Sequence, residues 1–415
     1  MSVNLEPLDS GVQIPYHFRC PISLELMREP VTISTGQTYD RTSIESWFAA
    51  GNTTCPVTRA PLSDFTLIPN HTLRRLIQDW CVSNREFGVE RIPSPTQPAH
   101  PSVVRTLLNQ ASSERSTSQS RISALRRLRR FAADSDKNCS LIGSYNVRRI
   151  LLHLLFDPNS DCFELKHESL ALLVCFSLAE SECVFVASEP ERIKYLSRLM
   201  FHSSIDVRVN SAALIETVVS GTRSQELRAQ ISNVDEIYEG VVDILKSPVS
   251  SPRSLKVGIK ALFALCLVKQ TRHKAVAAGA PEILIDRLAD FEKCDAERAL
   301  VTIELLCRIP EGLAAFAGHP LTVPQLVKPI LKISDRATEH TAGALWALCS
   351  ESEECRRKAV AARVLTPLLL VVQSDCTERA KRKAQMLLKL LRDSWPQDCG
   401  GNSDDFAWSE LVVPF

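Results

Sequence analysis

The sequence holds no C-x-x-C pair. That absence removes the usual signatures of a zinc ribbon and of a thioredoxin-like redox site. It holds no apolar run of about 18 residues, the length a membrane-spanning helix needs; stretches such as Leu151–Phe156 and Leu368–Val372 stop far short. Charge of either sign is not in excess, the formal net being +1, so bulk electrostatics gives no reason to expect nucleic acid or an anionic membrane as the main partner. The opening residues, MSVNLEPLDS, carry acids and no apolar stretch, which argues against a secretory signal. Ser2 stands where N-myristoylation requires glycine. A cytosolic or nuclear protein is expected. No Ser-His-Asp or Cys-His pairing suited to covalent catalysis is evident.

What is present is ordinary in bulk: 45% hydrophobic and 23% charged residues, the balance of a globular protein. At 415 residues two or more domains are expected. The 14 cysteines mostly stand singly in apolar helical patterns, as at Cys175, Cys266, Cys307 and Cys349, and in a reducing compartment these read as small buried hydrophobes. The chain divides into a polar leader (1–13), a mixed unit with its own turn chemistry (14–87), a Pro-rich linker (88–101), a long helical region (102–394) and a loose tail (395–415).

The helical region is periodic. The pairs Ala124-Leu125, Ala171-Leu172, Ala213-Leu214, Ala261-Leu262 and Ala344-Leu345 follow one another at 47, 42, 48 and 83 residues, with Thr302-Ile303 filling the double gap. Cys266, Cys307 and Cys349 step by 41 and 42. A period near 42 marks armadillo or HEAT units of two or three helices. Each unit reads as a small-residue turn such as Ala278-Gly279-Ala280-Pro281, then a leucine-rich helix (Glu282–Leu288), then a long helix such as Asp335–Cys349. One unit cannot bury its apolar stripe alone, so neighbours must stack. For each Ala/Leu/Cys stripe, plain core packing is the favoured reading.

Residues 14–87 read differently. Val31–Ser34 and Thr38-Tyr39 flank Gly36, a hairpin signal. Asp40 is placed to N-cap a helix in which Ile44, Trp47 and Phe48 share a face, and Gly51 marks its end. A Cys55–Arg59 loop leads to Thr66-Leu67-Ile68, then to a second helix with Leu73, Leu76, Ile77 and Trp80 on one side. A zinc RING finger uses this layout, but it needs about eight Cys/His ligands. Only Cys20, Cys55, Cys81, His17 and His71 occur here, at the wrong spacings. No metal or other cofactor is expected, so an apolar core and polar networks must hold the unit.

The order and spacing of Ile14–Ser23, Pro30-Val31, Ser34–Arg41, Cys55–Thr58 and Ile68–Arg74 closely resemble a U-box, and the U-box followed by armadillo units resembles the plant U-box class of ubiquitin ligases. The resemblance implies a mainly α protein: a small α+β, RING-like but zinc-free U-box, then a right-handed armadillo-type α-solenoid. It implies a shallow groove for a ubiquitin-charged conjugating enzyme, with Ile22 as the first-loop apolar contact, Trp47 as the central-helix aromatic, Pro56 as the second-loop proline, and Arg59 touching both enzyme and ubiquitin. Asp40, Arg41 and Asn70 then serve as caps and buried hydrogen bonds where a RING has zinc. Such a ligase works by positioning the thioester for attack by a substrate lysine, without a covalent intermediate of its own. Stress or immune signalling, and pairing of two copies through the U-box, are implied by the same likeness.

Other readings compete. Trp47 also suits plain core packing, and Cys20 and Cys55, each followed by proline in a tight loop, are read as structural. A non-catalytic armadillo scaffold or adaptor would explain the array but leave Ile22, Pro56 and Arg59 without a role. The basic runs Arg126–Arg130 and Arg379–Lys383 suit a nuclear signal or phosphate patch; a solvated face or a polar stripe lining the array's groove is favoured. The groove is expected on the long helices around Ser211, Lys260, Glu304, Glu339-His340 and Lys383, where a substrate protein would lie. Ser112–Ser120 is expected to be a loop.

Overall fold

A computed structural model of the chain describes residues 14–84, 99–113, 115–247 and 251–392. The leader, residues 88–98 of the linker and the 395–415 tail lie outside the described residues. The chain forms two compact units, Met1–Gln97 and Pro98–Phe415.

The first unit is built on a three-stranded antiparallel sheet of order β2-β1-β3, with β1 Pro30–Thr32, β2 Thr38–Asp40 and β3 Ile68–Pro69. Gly36, at φ +80°, turns the β1–β2 hairpin, a backbone state that costs glycine little. The register pairs Val31 with both Tyr39 and Pro69. Helix α1 (Arg41–Ala49) leaves β2 directly and α2 (His71–Ser83) follows β3. Val31, Ile33, Tyr39, Ile44 and Ile77 make the buried centre, with Cys20, Cys55 and Cys81 among them. On α2 the stripe facing that centre is Leu73, Ile77, Trp80 and Cys81, while Leu76 is 52% exposed. Leu76 sits one position off the i, i+4 row that meets the sheet, which is why the four-residue face read from the sequence was one residue too wide.

Asp40 departs from its expected role. It precedes α1, but its side chain makes no cap bond to the helix. Its Oδ1 accepts instead from the backbone N–H groups of Arg28 (2.8 Å) and Glu29 (2.7 Å), and its Oδ2 from the Thr42 hydroxyl (2.7 Å). The carboxylate thus ties the start of α1 to the loop that enters β1. Arg41 closes the same corner, its Nε 3.1 Å from Glu29, while Arg74 of α2 lies 3.7 Å from that glutamate's other oxygen. Asn70 does cap its helix: Oδ1 accepts from Leu73 N at 3.0 Å, and the Asn70 N–H donates to Pro30 O at 2.8 Å. One side chain and its backbone thereby lock α2 to β1. Asn70→Ala is expected to lower the first unit's stability by about 1–2 kcal/mol, the cost of a lost cap; an unchanged melting midpoint would contradict that role.

The second unit is helical throughout its described residues. Seven long helices recur through it: Ser118–Asp134, Phe163–Leu173, Ile205–Gly221, Pro252–Cys266, Lys293–Leu306, Asp335–Glu351 and Glu378–Leu391. Each of the aligned Ala-Leu pairs lies in one of them, and Thr302-Ile303 lies in the fifth. Successive long helices pack on one another and share a continuous core of buried Leu, Ile, Val and Ala. This is an armadillo-type α-solenoid. The serine-rich stretch is a loop only at its middle: one helix runs to Ser112 and the next starts at Ser118, capped by Thr117, so both ends of the expected loop are helical. Ser211 is fully buried, donating to Leu196 O at 2.7 Å, and so faces the core rather than a groove.

Candidate functional site

Two loops of the first unit are built to one plan. In Cys20-Pro21-Ile22-Ser23-Leu24, the Leu24 N–H donates to Cys20 O (2.8 Å) and the Cys20 N–H to Glu25 O (2.8 Å). In Cys55-Pro56-Val57-Thr58-Arg59, the Arg59 N–H donates to Cys55 O (2.8 Å) and the Cys55 N–H to Ala60 O (2.9 Å). The fifth residue of each loop is left-handed, Leu24 at φ 60° and Arg59 at φ 58°. For side chains other than glycine this state is strained and is kept only when the surroundings impose it.

The imposing groups are sulfur atoms. Cys20 Sγ accepts from the Asp40 N–H (3.3 Å), and Cys55 Sγ is 3.1 Å from the Tyr39 hydroxyl and accepts from the Thr58 N–H (3.4 Å). The two loops are therefore moored to adjacent residues of β2. The Val57 N–H also donates to the Tyr39 hydroxyl (3.3 Å). Burial would push the Cys55 thiol up, but hydrogen bonds from Thr35, Thr58 and Tyr39 outweigh it and hold the group down at about 6. Burial first, and the sulfur beside it second, push the Tyr39 phenol up. Both cysteines are buried, at 0% and 1% exposure, so their sulfurs act as acceptors within the loops.

Trp47 joins α1 to the second loop: its indole N–H donates to Thr54 O at 2.8 Å. Its ring packs partly on the core, as the packing reading of this residue expects. Ile22 is also half-buried against that core. The most exposed apolar residue of the first loop is Leu24, at 70%, and Val57 of the second is 50% exposed. Pro56 is half-buried and Arg59 exposed. Leu24 and Val57 were missed in the sequence, although a signal was there: Cys-Pro-x-Ser/Thr occurs at Cys20 and again at Cys55. Among the described residues, no group of three or more His, Cys, Asp and Glu side chains could hold a metal ion, and no helix is long and apolar enough to cross a membrane.

The second unit carries a polar centre of its own on its last three long helices. Buried Glu304 accepts from His340 Nδ1 (2.5 Å), Lys383 Nζ (3.0 Å) and Arg308 (3.2 Å). Lys383 also lies 3.6 Å from Glu339. Lys383 reaches Glu304 across Gly343, where a Cβ would stand 2.6 Å from the carboxylate and 3.0 Å from the ammonium. The glycine leaves room for the pair to cross the middle helix. Burial would raise the Glu304 pKa, yet hydrogen bonds from His340 and Lys383 hold it down at about 2. A depressed carboxylate stabilises the fold above its unfolded value near 4.5 and loses that contribution as pH falls from there towards 2. The contribution is on the order of 3 kcal/mol. The stability gap between the parent protein and Glu304→Gln should therefore narrow steadily between pH 5 and pH 2, and a constant gap would contradict the pairing. Above this cluster lies a cavity of about 420 Å³, rimmed by Trp346 and Met386 and by Arg379 and Arg382. The basic run at 379–383 thus lines a groove, as favoured, while Arg126 and Arg129 of the earlier run pair with Glu164 and Glu168.

Comparison with known proteins agrees with this layout. Residues 14–86 match the U-box domain family, and residues 103–407 match the plant U-box protein ARM repeat region. U-box domain-containing protein 26 of Arabidopsis thaliana is 65% identical over the whole of both chains, and U-box domain-containing protein 25 of the same plant is 64% identical over the same span. E3 ubiquitin-protein ligase PUB23, also from Arabidopsis thaliana, is 33% identical over 94% of this chain and 95% of its own. Among solved structures, a chain from a study of the cadherin and β-catenin interaction superposes with a TM-score of 0.56 at 13% identity, covering 79% of this chain and 59% of that one. That likeness speaks to the fold alone.

Proposed function

From the premise that the chain belongs to the plant U-box proteins with an ARM repeat region, we propose that it is a ubiquitin-protein ligase whose paired loops receive a ubiquitin-charged conjugating enzyme. The observation that carries this reading is extent: the relative named an E3 ubiquitin-protein ligase matches the first unit and the array together, nearly end to end. The geometry supports it locally. The exposed Leu24 and Val57, with half-buried Ile22 and Pro56 on the same two loops, offer dehydratable apolar contact area, and Trp47 braces the second loop from α1.

In this mechanism the chain forms no bond to ubiquitin. The carrier's thioester keeps the acyl group until a substrate amine attacks its carbonyl carbon, and the carrier's thiol leaves. The ligase contributes orientation, by restricting the mobile thioester to arrangements open to attack. Arg59 is suited to that task. Its backbone is fixed by the bond to Cys55 O, so its guanidinium projects from a rigid stalk and can donate charge-assisted hydrogen bonds to both bound proteins. Buried Cys20 and Cys55 stay out of the chemistry.

The array then holds the substrate on its long helices, in the cytosol or nucleus, within signalling or stress responses. Pairing of two copies through the first unit belongs to the same reading. An autoubiquitination assay with a panel of conjugating enzymes tests it: ladders on the intact chain, with no thioester-linked ubiquitin on non-reducing gels, are expected. The scaffold or adaptor reading predicts no ladders with any member, and it leaves the exposed loop tips without a purpose.

A further inference from the structure

The cavity over Glu304 is unusual in what it leaves unpaired. Glu304 and Glu339 are consumed by His340, Lys383 and Arg308 below. Among the described residues, Arg379 and Arg382 have no ion-pair partner, although both line the cavity and both are exposed. Trp346 and Met386 beside them are 38% and 42% exposed. The pocket thus asks for carboxylates spaced around a large apolar side chain.

The chain supplies such a segment. After Arg392 it contains no further Lys, Arg or His, and carries Asp393, Asp398, Asp404, Asp405 and Glu410. Within it, Asp404-Asp405-Phe406-Ala407-Trp408 sets two adjacent carboxylates against two aromatic rings. We infer that this segment docks in the cavity of its own chain. The acids meet Arg379 and Arg382, and an aromatic ring lies against Trp346 and Met386, where arginine and aromatic faces also attract one another.

Reach permits it. Arg379, Arg382 and Met386 stand on the last long helix, which ends at Leu391. At 1.5 Å per residue they lie roughly 8–18 Å back from that end. Residues 393–403 span up to about 36 Å when extended, and Gly400-Gly401 allows the chain to double back. A tether this short gives an effective concentration in the millimolar range, so weak contacts suffice. If the array's groove takes substrate, a step that rests on the functional reading above, the docked segment covers part of that groove and competes with the substrate.

Hydrogen exchange on the intact chain tests the docking without any ubiquitin assay. Amides of residues 404–411 should exchange at least tenfold more slowly than in an R379E/R382E variant, whose array amides should be unchanged because both arginines are exposed. D404R/D405R should lose the same protection, and the combination of all four substitutions should restore it. Equal exchange in the parent and R379E/R382E would overturn the inference. So would protection that fades on dilution, since it would assign the segment to a second copy. Because exchange does not depend on ligase activity, a chain that fails to transfer ubiquitin but shows the protection would refute the function and leave the docking standing.

Discussion

Arg59→Ala is expected to slow the discharge of ubiquitin from its carrier by roughly ten- to a hundredfold, the equivalent of one or two charge-assisted hydrogen bonds, while the first unit unfolds as before. The two halves of that expectation rest on separate observations. Arg59 is exposed, whereas its backbone N–H is what closes the loop onto Cys55 O. Truncation to alanine leaves the backbone bond and the left-handed φ of 58° in place. Arg59→Gly offers a control: it relieves the strain and removes the same guanidinium, so it should match alanine in rate and equal or exceed the parent in stability. Single-turnover discharge beside thermal melting separates the two effects. A full-rate Arg59→Ala would show that the guanidinium does not position the carrier.

Asp40→Ala is expected to have the largest structural effect. It strips acceptors from the Arg28 and Glu29 N–H groups and from the Thr42 hydroxyl at once. Leaving buried or half-buried donors unsatisfied costs about 1–3 kcal/mol each. Together the loss is about 3 kcal/mol or more, a large share of what so small a metal-free unit commands. Exchange of first-unit amides in the intact chain should then accelerate by about two orders of magnitude, with the array unaffected. Asp40→Asn keeps an oxygen for the two backbone donors and should be much milder. If alanine leaves the exchange unchanged, the carboxylate is not what ties α1 to the loop before β1.

The sequence carried the periodic parts of this architecture well, because periodicity is a direct record of burial. The 42-residue spacing located the long helices, even where Thr302-Ile303 replaced the usual pair. Local turn chemistry was legible where one residue decides the outcome, as at Gly36, Gly51 and the Asn70 cap. It failed where a side chain had a choice of partners. Asp40 stands in a cap position, yet backbone donors eleven and twelve residues earlier hold its carboxylate. Glu29, which completes that corner with Arg41 and Arg74, sits in no pattern that marks it. The site was half legible. Arg59 and Pro56 fall on an exposed or half-open loop, but Ile22 leans on the core and Leu24 takes the outermost place. Only the left-handed geometry at the fifth loop position turns Leu24 outward, and no apolar pattern records a φ angle. The Glu304 centre was legible only in part: Glu304, Glu339-His340 and Lys383 were each placed on groove helices, but their pairing was not, because His340 and Lys383 lie 36 and 79 residues from Glu304.

The most direct test of the central claim is single-turnover discharge to free lysine from conjugating enzymes preloaded with ubiquitin. With the intact, folded chain present, thioester loss from at least one member of the panel should accelerate, and the acceleration should fall when Leu24 is replaced by glutamate. Discharge that is no faster with the chain than without it, for every member of the panel, would contradict the account.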